Sequence, residues 1–107
     1  MTISETVYTG RDNTVDLLLK SDGEAQDLSS VTRMRLVDVD GAFDIDSDTS
    51  AGAFDWDNGT TGKVIIAIGG EGIAAGRYGC RLIVYDPTND DGIVWGRIVL
   101  TVYAAVG

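Results

Sequence analysis

Apolar and polar residues alternate in short runs along the chain, and this alternation limits the fold more than any other feature. In residues 15–20, "VDLLLK", every second residue counted from Val15 is apolar. A period of two places successive side chains on opposite faces of a β-strand. Glycine, Asp, Asn, Ser and Thr separate the runs, whereas helical periodicity is almost absent. The sequence therefore predicts an all-β fold.

The predicted strands account for most of the chain. They lie near residues 3–8, 14–20, 31–38, 42–46, 62–68, 77–86 and 93–103. Their spacing suits a sandwich or barrel of about seven strands in one domain that spans residues 1–107. The turn signals agree with this division, because "SDG" (21–23) predicts an early hairpin or corner, "DNG" (57–59) predicts a tight turn and "DPTNDDG" (86–92) predicts a hairpin.

Alternation also divides the strand residues between two faces, since one charged residue placed outside fixes the rest of its strand. The residues expected to face the core are Val15, Leu17, Leu19, Met34, Leu36, Phe43, Ile45, Val64, Ile66, Ile68, Tyr78, Cys80, Leu82, Val84, Val94, Ile98, Leu100 and Val102. Those expected to face solvent are Asp16, Leu18, Lys20, Arg33, Arg35, Arg77, Arg81, Ile83, Tyr85, Trp95, Arg97, Val99, Thr101 and Tyr103.

The composition excludes several kinds of chemistry. The chain contains no histidine and a single cysteine, Cys80. Histidine-based acid–base catalysis, Ser–His and Cys–His triads, His-ligated zinc and an intrachain disulfide are therefore ruled out. Cys80 is expected to pack inward as a small apolar side chain, without a nucleophilic role. We expect no enzymatic activity, no catalytic residue, no cofactor and no resident metal.

The charge of the chain bears on its partners and its location. It carries 17 acidic and 8 basic residues, for a net charge of −9. Nucleic-acid phosphates repel such a domain, so no nucleic-acid partner is expected. The sequence has neither the roughly 18-residue apolar run of a membrane helix nor the basic start of a signal peptide. We expect a protein that does not enter membranes and that is made in a cytosol.

The run "GRYGC" carries a first resemblance. Its Gly-x-Tyr-x-Cys pattern, formed by Gly76, Tyr78 and Cys80, resembles the start of strand F in immunoglobulin-like sandwiches. The resemblance implies that the Tyr78 hydroxyl caps the preceding corner and that Cys80 points inward. The partner cysteine and core tryptophan of antibody domains are missing, and Met34 stands near the place of that tryptophan. The family implied is a single immunoglobulin-like antiparallel β-sandwich.

A second resemblance covers most of the chain. The segments "LLLKSDGEAQDLSS", "RMRLVDVDG", "GKVIIAI" and "GIAAGRYGCRLIVYDPTNDDGIVWGRIVLTV", in this order, resemble immunoglobulin-like domains of bacteriophage virion proteins. The N-terminal domains of baseplate upper proteins have the most similar pattern. The resemblance implies a non-enzymatic structural or assembly protein of a phage or prophage tail, baseplate or connector. It also implies assembly in the bacterial host cytoplasm, with other virion proteins or copies of the chain as partners.

The stretch "DIDSDTSAGAFD", from Asp44 to Asp55, allows a different function. Its aspartates match positions 1, 3, 5 and 12 of a calcium loop, although position 6 is Thr49 where the pattern has glycine. A solvated strand with Phe43 and Ile45 inward explains the same alternation. A second acidic candidate is formed by Asp86, Asn89, Asp90 and Asp91. The alternative function is a calcium-dependent or carbohydrate-binding β-sandwich module of a surface or adhesive protein.

The outward positions of the third and the last two long strands combine cations with aromatic rings, which is the composition of interface hot spots. The predicted interface consists of Arg33, Arg35, Arg77, Arg81, Tyr85, Trp95, Arg97 and Tyr103. Residues 38–57 hold seven aspartates and no cation. This segment of a neighbouring copy is the predicted partner, in a head-to-tail contact that would build a ring or a tube. Alternatively, the arginines are solvated residues that protect an exposed sheet.

Overall fold

A computed structural model describes residues 2–8, 14–21, 23–57, 59, 61–69 and 71–103, and these residues form an all-β sandwich. The strands are β1 (Thr2–Tyr8), β2 (Val15–Leu18), β3 (Lys20–Ser21), β4 (Glu24–Ala25), β5 (Arg33–Asp38), β6 (Asp44–Asp46), β7 (Phe54–Trp56), β8 (Lys63–Ile66), β9 (Gly76–Tyr85) and β10 (Ile93–Tyr103). A single turn of 3-10 helix, Ala51–Ala53, precedes β7. The predicted all-β, immunoglobulin-like sandwich is confirmed.

Two sheets form the layers of the sandwich. The larger has the order β1-β10-β9-β5-β6 and the smaller has the order β2-β8-β7. The immunoglobulin fold divides its strands between sheets in this way, with the last two long strands beside the third. One pair departs from the predicted antiparallel arrangement, because β1 runs parallel to β10 along its whole length. This pairing covers one edge of β10, and the next described strand, β2, belongs to the other sheet.

Each of the seven predicted strands has a counterpart, and one further strand, β7, was not predicted. The strand β7 spans only three residues after the 3-10 helix, which is too short for alternation to identify. The small hairpin β3–β4 forms around the "SDG" signal, with Lys20 opposite Ala25. Asp22 of that turn and Asn58 of "DNG" lie outside the described residues. The predicted hairpin between β9 and β10 is confirmed.

The core lies between the two sheets and contains most of the residues that alternation assigned to it. Met34, Leu36, Val64, Ile66 and Leu100 are fully enclosed. Leu28 and Ile73, which come from loops, complete the buried cluster. The outward assignment of β2 is also correct, because Leu18 is 49% exposed although Leu17 beside it is buried. Burial therefore follows the two-residue period of the strands closely.

A β-bulge at the start of β10 reverses two of the predicted orientations. The register pairs Val94 with Ile83 and then Gly96 with Leu82, so Trp95 is the extra residue. A bulge interrupts the alternation of a strand. Val94, which was predicted to face inward, is therefore 54% exposed, while Trp95, which was predicted to face outward, is half-buried against the core. Both predictions were wrong for this one reason.

The corner before β9 has the hydrogen bond that the immunoglobulin resemblance implied. The Tyr78 hydroxyl donates to the carbonyl oxygen of Ala74 at 2.5 Å. The ring of Tyr78 meets the Phe43 ring edge to face, with centroids 5.3 Å apart. Tyr78 and Phe43 are half-buried at the margin of the core, where both had been predicted to face inward.

Candidate protein-contact faces

The five predicted interface arginines share the outer face of the five-stranded sheet, which we call the arginine face. They come from three adjacent strands: Arg33 and Arg35 from β5, Arg77 and Arg81 from β9, and Arg97 from β10. The register places Arg33 opposite Tyr85 and Arg81 opposite Arg97. The sequence prediction that these side chains lie on one face is therefore correct, but their individual environments differ.

Two of the five arginines already have partners within the chain. Arg33 donates from Nε to the Asp46 carboxylate at 2.9 Å, and a second bond from its Nη2 makes the pair bidentate. Arg35 pairs with Asp44 in the same two-bonded way. Asp48 adds an ion pair to Arg33 at 3.3 Å. Because β6 lies beside β5, the first three aspartates of the acidic stretch balance these two arginines.

This pairing corrects the proposed role of the acidic segment. Residues 38–57 do not form one patch, because Asp38 is buried, Asp44 and Asp46 lie on β6, and Asp55 lies on β7 of the other sheet. The aspartates nearest the arginine face are engaged by Arg33 and Arg35 of their own chain. Asp44, Asp46 and Asp48 therefore do not form a free acidic surface for a neighbouring copy.

The Arg33 pair gives the protein an acid-sensitive contact. Hydrogen bonds from Arg33 lower the pKa of Asp46 from 3.8 to about 2, with smaller help from the Asp48 backbone N–H and the positive charges of Arg33 and Arg35. A lowered pKa in the folded state stabilises the fold above the unfolded value. The stabilisation is therefore complete above about pH 4 and disappears as the pH falls towards 2.

We expect Asp46→Asn to remove this part of the pH dependence. At pH 7 the variant should be about 1 kcal/mol less stable than the wild type, a value that allows for solvent screening of the partly exposed ion pair. Between pH 4 and 2 its unfolding free energy should fall less than that of the wild type. Urea unfolding at several pH values measures both effects. Asp40→Asn, in an exposed turn, is the control and should unfold like the wild type. Parallel losses for wild type and Asp46→Asn below pH 4 would contradict this assignment.

Tyr85, predicted as an exposed interface aromatic, is only 7% exposed. Its ring lies under the guanidinium of Arg33, which is 4.6 Å from the ring centroid, and its hydroxyl accepts a hydrogen bond from Arg35 at 3.1 Å. Gly92 adjoins the ring closely enough that a Cβ there would lie 2.6 Å from it. Tyr85 points outward as alternation predicts, but the two arginines cover it. Its role is to support them.

The other three arginines of the face, Arg77, Arg81 and Arg97, remain exposed. None of the described carboxylates lies within 4.0 Å of their guanidinium nitrogens. Arg81 and Arg97 are directly opposite each other on neighbouring strands. Like charges in this position destabilise a sheet. The Arg81–Arg97 pair therefore adds an unfavourable charge interaction to the sheet.

Apolar side chains surround the unpaired arginines. Val37 is the cross-strand neighbour of Arg81, and Ile83 lies opposite Val94, which is largely exposed. Val99 continues this surface along β10. Tyr103, predicted for the interface, is 51% exposed and packs its ring 5.6 Å from that of Tyr8. Arginine among exposed apolar residues is the composition of a protein-contact surface.

The opposite side of the sandwich carries a second exposed face, which alternation only partly located. It is the outer surface of the three-stranded sheet, and we call it the acidic face: it contains Asp16, Leu18, Asp55, Asp57, Lys63 and Ile65. Asp16 and Asp55 lie on either side of Ile65 in one cross-strand row. Asp57, Lys63 and Ile65 line a shallow depression. Asp55 could not be placed from sequence because β7 was not predicted.

Neither calcium candidate is assembled as a site. In the part of the chain that the structure describes, no three His, Cys, Asp or Glu side chains are close enough together to hold a metal ion. Asp44 and Asp46 bind arginines, and Asp55 lies on another sheet. In the second loop, the Asp86 carboxylate accepts hydrogen bonds from the Thr88 and Asn89 backbones, which close the turn.

One acidic side chain is buried near the cysteine. Asp38 is 3% exposed, and its Oδ2 accepts a hydrogen bond from the Ala42 backbone at 2.9 Å, whereas its Oδ1 has no partner. Cys80 lies opposite Asp38 in the sheet. Burial raises the pKa of the Cys80 thiol to about 12, and the negative charge of Asp38 adds to the effect. A thiol with so high a pKa is a poor nucleophile at neutral pH, which agrees with a packing role.

Comparison with known proteins adds no family assignment. No protein-family model matches the sequence, and no curated protein matches it. Within the described residues, no helix has the length and apolar character needed to cross a membrane.

Proposed function

We propose that this protein is a non-enzymatic structural or assembly component of a bacteriophage or prophage particle and that it acts through protein–protein contacts. The observation that carries the proposal is that Arg81 and Arg97 lie opposite each other on a partly apolar sheet face, without a carboxylate partner among the described residues. A partner with acidic groups would relieve the repulsion between these arginines and cover the apolar side chains around them. The particle context rests on the resemblance of the sequence to virion immunoglobulin-like domains.

Mass spectrometry of purified particles tests the proposal. Particles from the bacterial strain that carries the gene would be induced, banded by density and digested. We expect peptides of this chain to band with the particles and to remain after a high-salt wash that strips adsorbed host proteins. A cytosolic host protein of similar size and charge is the control for carry-over. Peptides found only in the soluble fraction would contradict a structural role in the particle.

A further inference from the structure

Resting on this proposed function, a more specific contact follows from the positions of the two charged faces. The arginine face and the acidic face are the outer surfaces of the two sheets, so they lie on opposite sides of one sandwich. One offers Arg77, Arg81 and Arg97 without carboxylate partners among the described residues. The other offers Asp16, Asp55 and Asp57, with Lys63 as the one cation among its described residues.

We propose that copies of this chain stack front to back, with the arginine face of one copy on the acidic face of the next. The apolar centres of the two faces also correspond, because Val37, Ile83 and Val99 lie among the arginines while Leu18 and Ile65 lie among the aspartates. Contact between two arginine faces would oppose like charges, which costs several kcal/mol in an interface. A symmetric dimer through this face is therefore disfavoured.

The kind of assembly follows from the fact that the two contacting faces are different and lie on opposite sides of the molecule. A contact between different surfaces of identical copies is heterologous and leaves one unused face at each end of the stack. Stacking therefore continues into an open filament, or into a ring if the rotation between successive copies closes. Of the predicted acidic segment, Asp55 and Asp57 take part in this contact, and Asp16 of β2 joins them on the outer face of the three-stranded sheet.

The size and charge of the faces set the expected strength. The three-stranded sheet is small, with strands of three or four residues, so the contact area is modest. Small interfaces bind weakly. The whole-chain charge of −9 also opposes association, although this long-range repulsion is screened beyond about 8 Å at physiological salt. We expect stacking at about 0.1–1 mM in physiological salt, concentrations that correspond to weak binding energies.

A charge-swap experiment by analytical ultracentrifugation tests the inference. Arg81→Glu with Arg97→Glu makes both faces acidic, and Asp16→Lys with Asp55→Lys makes both faces basic. Each double variant alone should lose at least about tenfold in association constant, because like charges then meet. An equimolar mixture of the two should associate again, since each contact then joins an acidic face to a basic one. The quadruple variant should associate by itself.

Circular dichroism and urea unfolding of each variant ensure that a lost association is not lost folding. A mixture that stays monomeric although both variants are folded would overturn the inference. A wild-type chain that stays monomeric over the whole concentration range would also overturn it and would leave an acidic surface of another virion protein as the occupant. Association without peptides in particles would contradict the proposed function alone, whereas peptides in particles without association would contradict the stacking alone.

Discussion

Replacing Gly62 with alanine is expected to destabilise the protein by about 3–5 kcal/mol, among the largest effects of any single substitution. Gly62 has a φ of +68°, and a Cβ there would lie 2.3 Å from the carbonyl oxygen of Leu19. That carbonyl accepts a hydrogen bond from the Gln26 backbone, and the Leu19 N–H donates to the Gly62 carbonyl at 2.7 Å. The Cβ would therefore clash with backbone atoms that are themselves hydrogen-bonded. These atoms cannot move without breaking the hydrogen bonds that join the ends of β2, β3 and β8.

Gly41 provides the matched control for this substitution. It has a similar φ of +82°, but a Cβ there would meet no atom within 4 Å. Gly41→Ala should therefore cost only the backbone conformational term, about 1 kcal/mol. Chemical unfolding of the two variants separates this term from the steric clash. Equal losses for Gly41→Ala and Gly62→Ala would show that the close approach at Gly62 is not as described.

Leu17→Ala is expected to cost about 3 kcal/mol, whereas Leu18→Ala should change stability by less than about 0.5 kcal/mol. The substitutions are identical and the residues are adjacent on β2, but Leu17 is 4% exposed and Leu18 is 49% exposed. Removal of the Leu17 side chain leaves a cavity between the sheets, while removal of the Leu18 side chain leaves none. Urea or thermal unfolding measures the difference.

The two leucines also separate folding from association. Leu18 belongs to the acidic face, so Leu18→Ala should weaken stacking while leaving the unfolding free energy almost unchanged. Leu17→Ala should lower the unfolding free energy but leave stacking almost unchanged at temperatures where the variant remains folded. Similar losses of stability in both variants would contradict the register assigned to β2.

Alternation predicted the fold because each long strand has one buried and one solvated face. It assigned Met34, Leu36 and Cys80 to the core correctly. It failed at Val94 and Trp95, where one extra residue in a bulge reverses the pattern without a distinctive sequence signal. It also missed β7, whose three residues are too few to show a period.

Alternation also predicted the positions of the candidate contact residues, but not their partners. The sequence places the five arginines on one face, but it does not contain the diagonal reach of Arg33 and Arg35 to β6. Nor does it show that Tyr85 lies beneath them. These contacts join side chains from different strands that the fold brings together. The period of two within a single strand does not predict them.

In the proposed stack the outer faces of the two sheets bind each other, and a concentration series of 1H–15N correlation spectra tests this most directly. Between about 0.05 and 1 mM, a range suited to a small and weak interface, amide signals near Arg81 and Arg97 and near Asp55 and Ile65 should shift together. Signals of the β3–β4 hairpin should stay constant. Shifts confined to other surfaces, or spectra that do not change with concentration, would contradict the stacking.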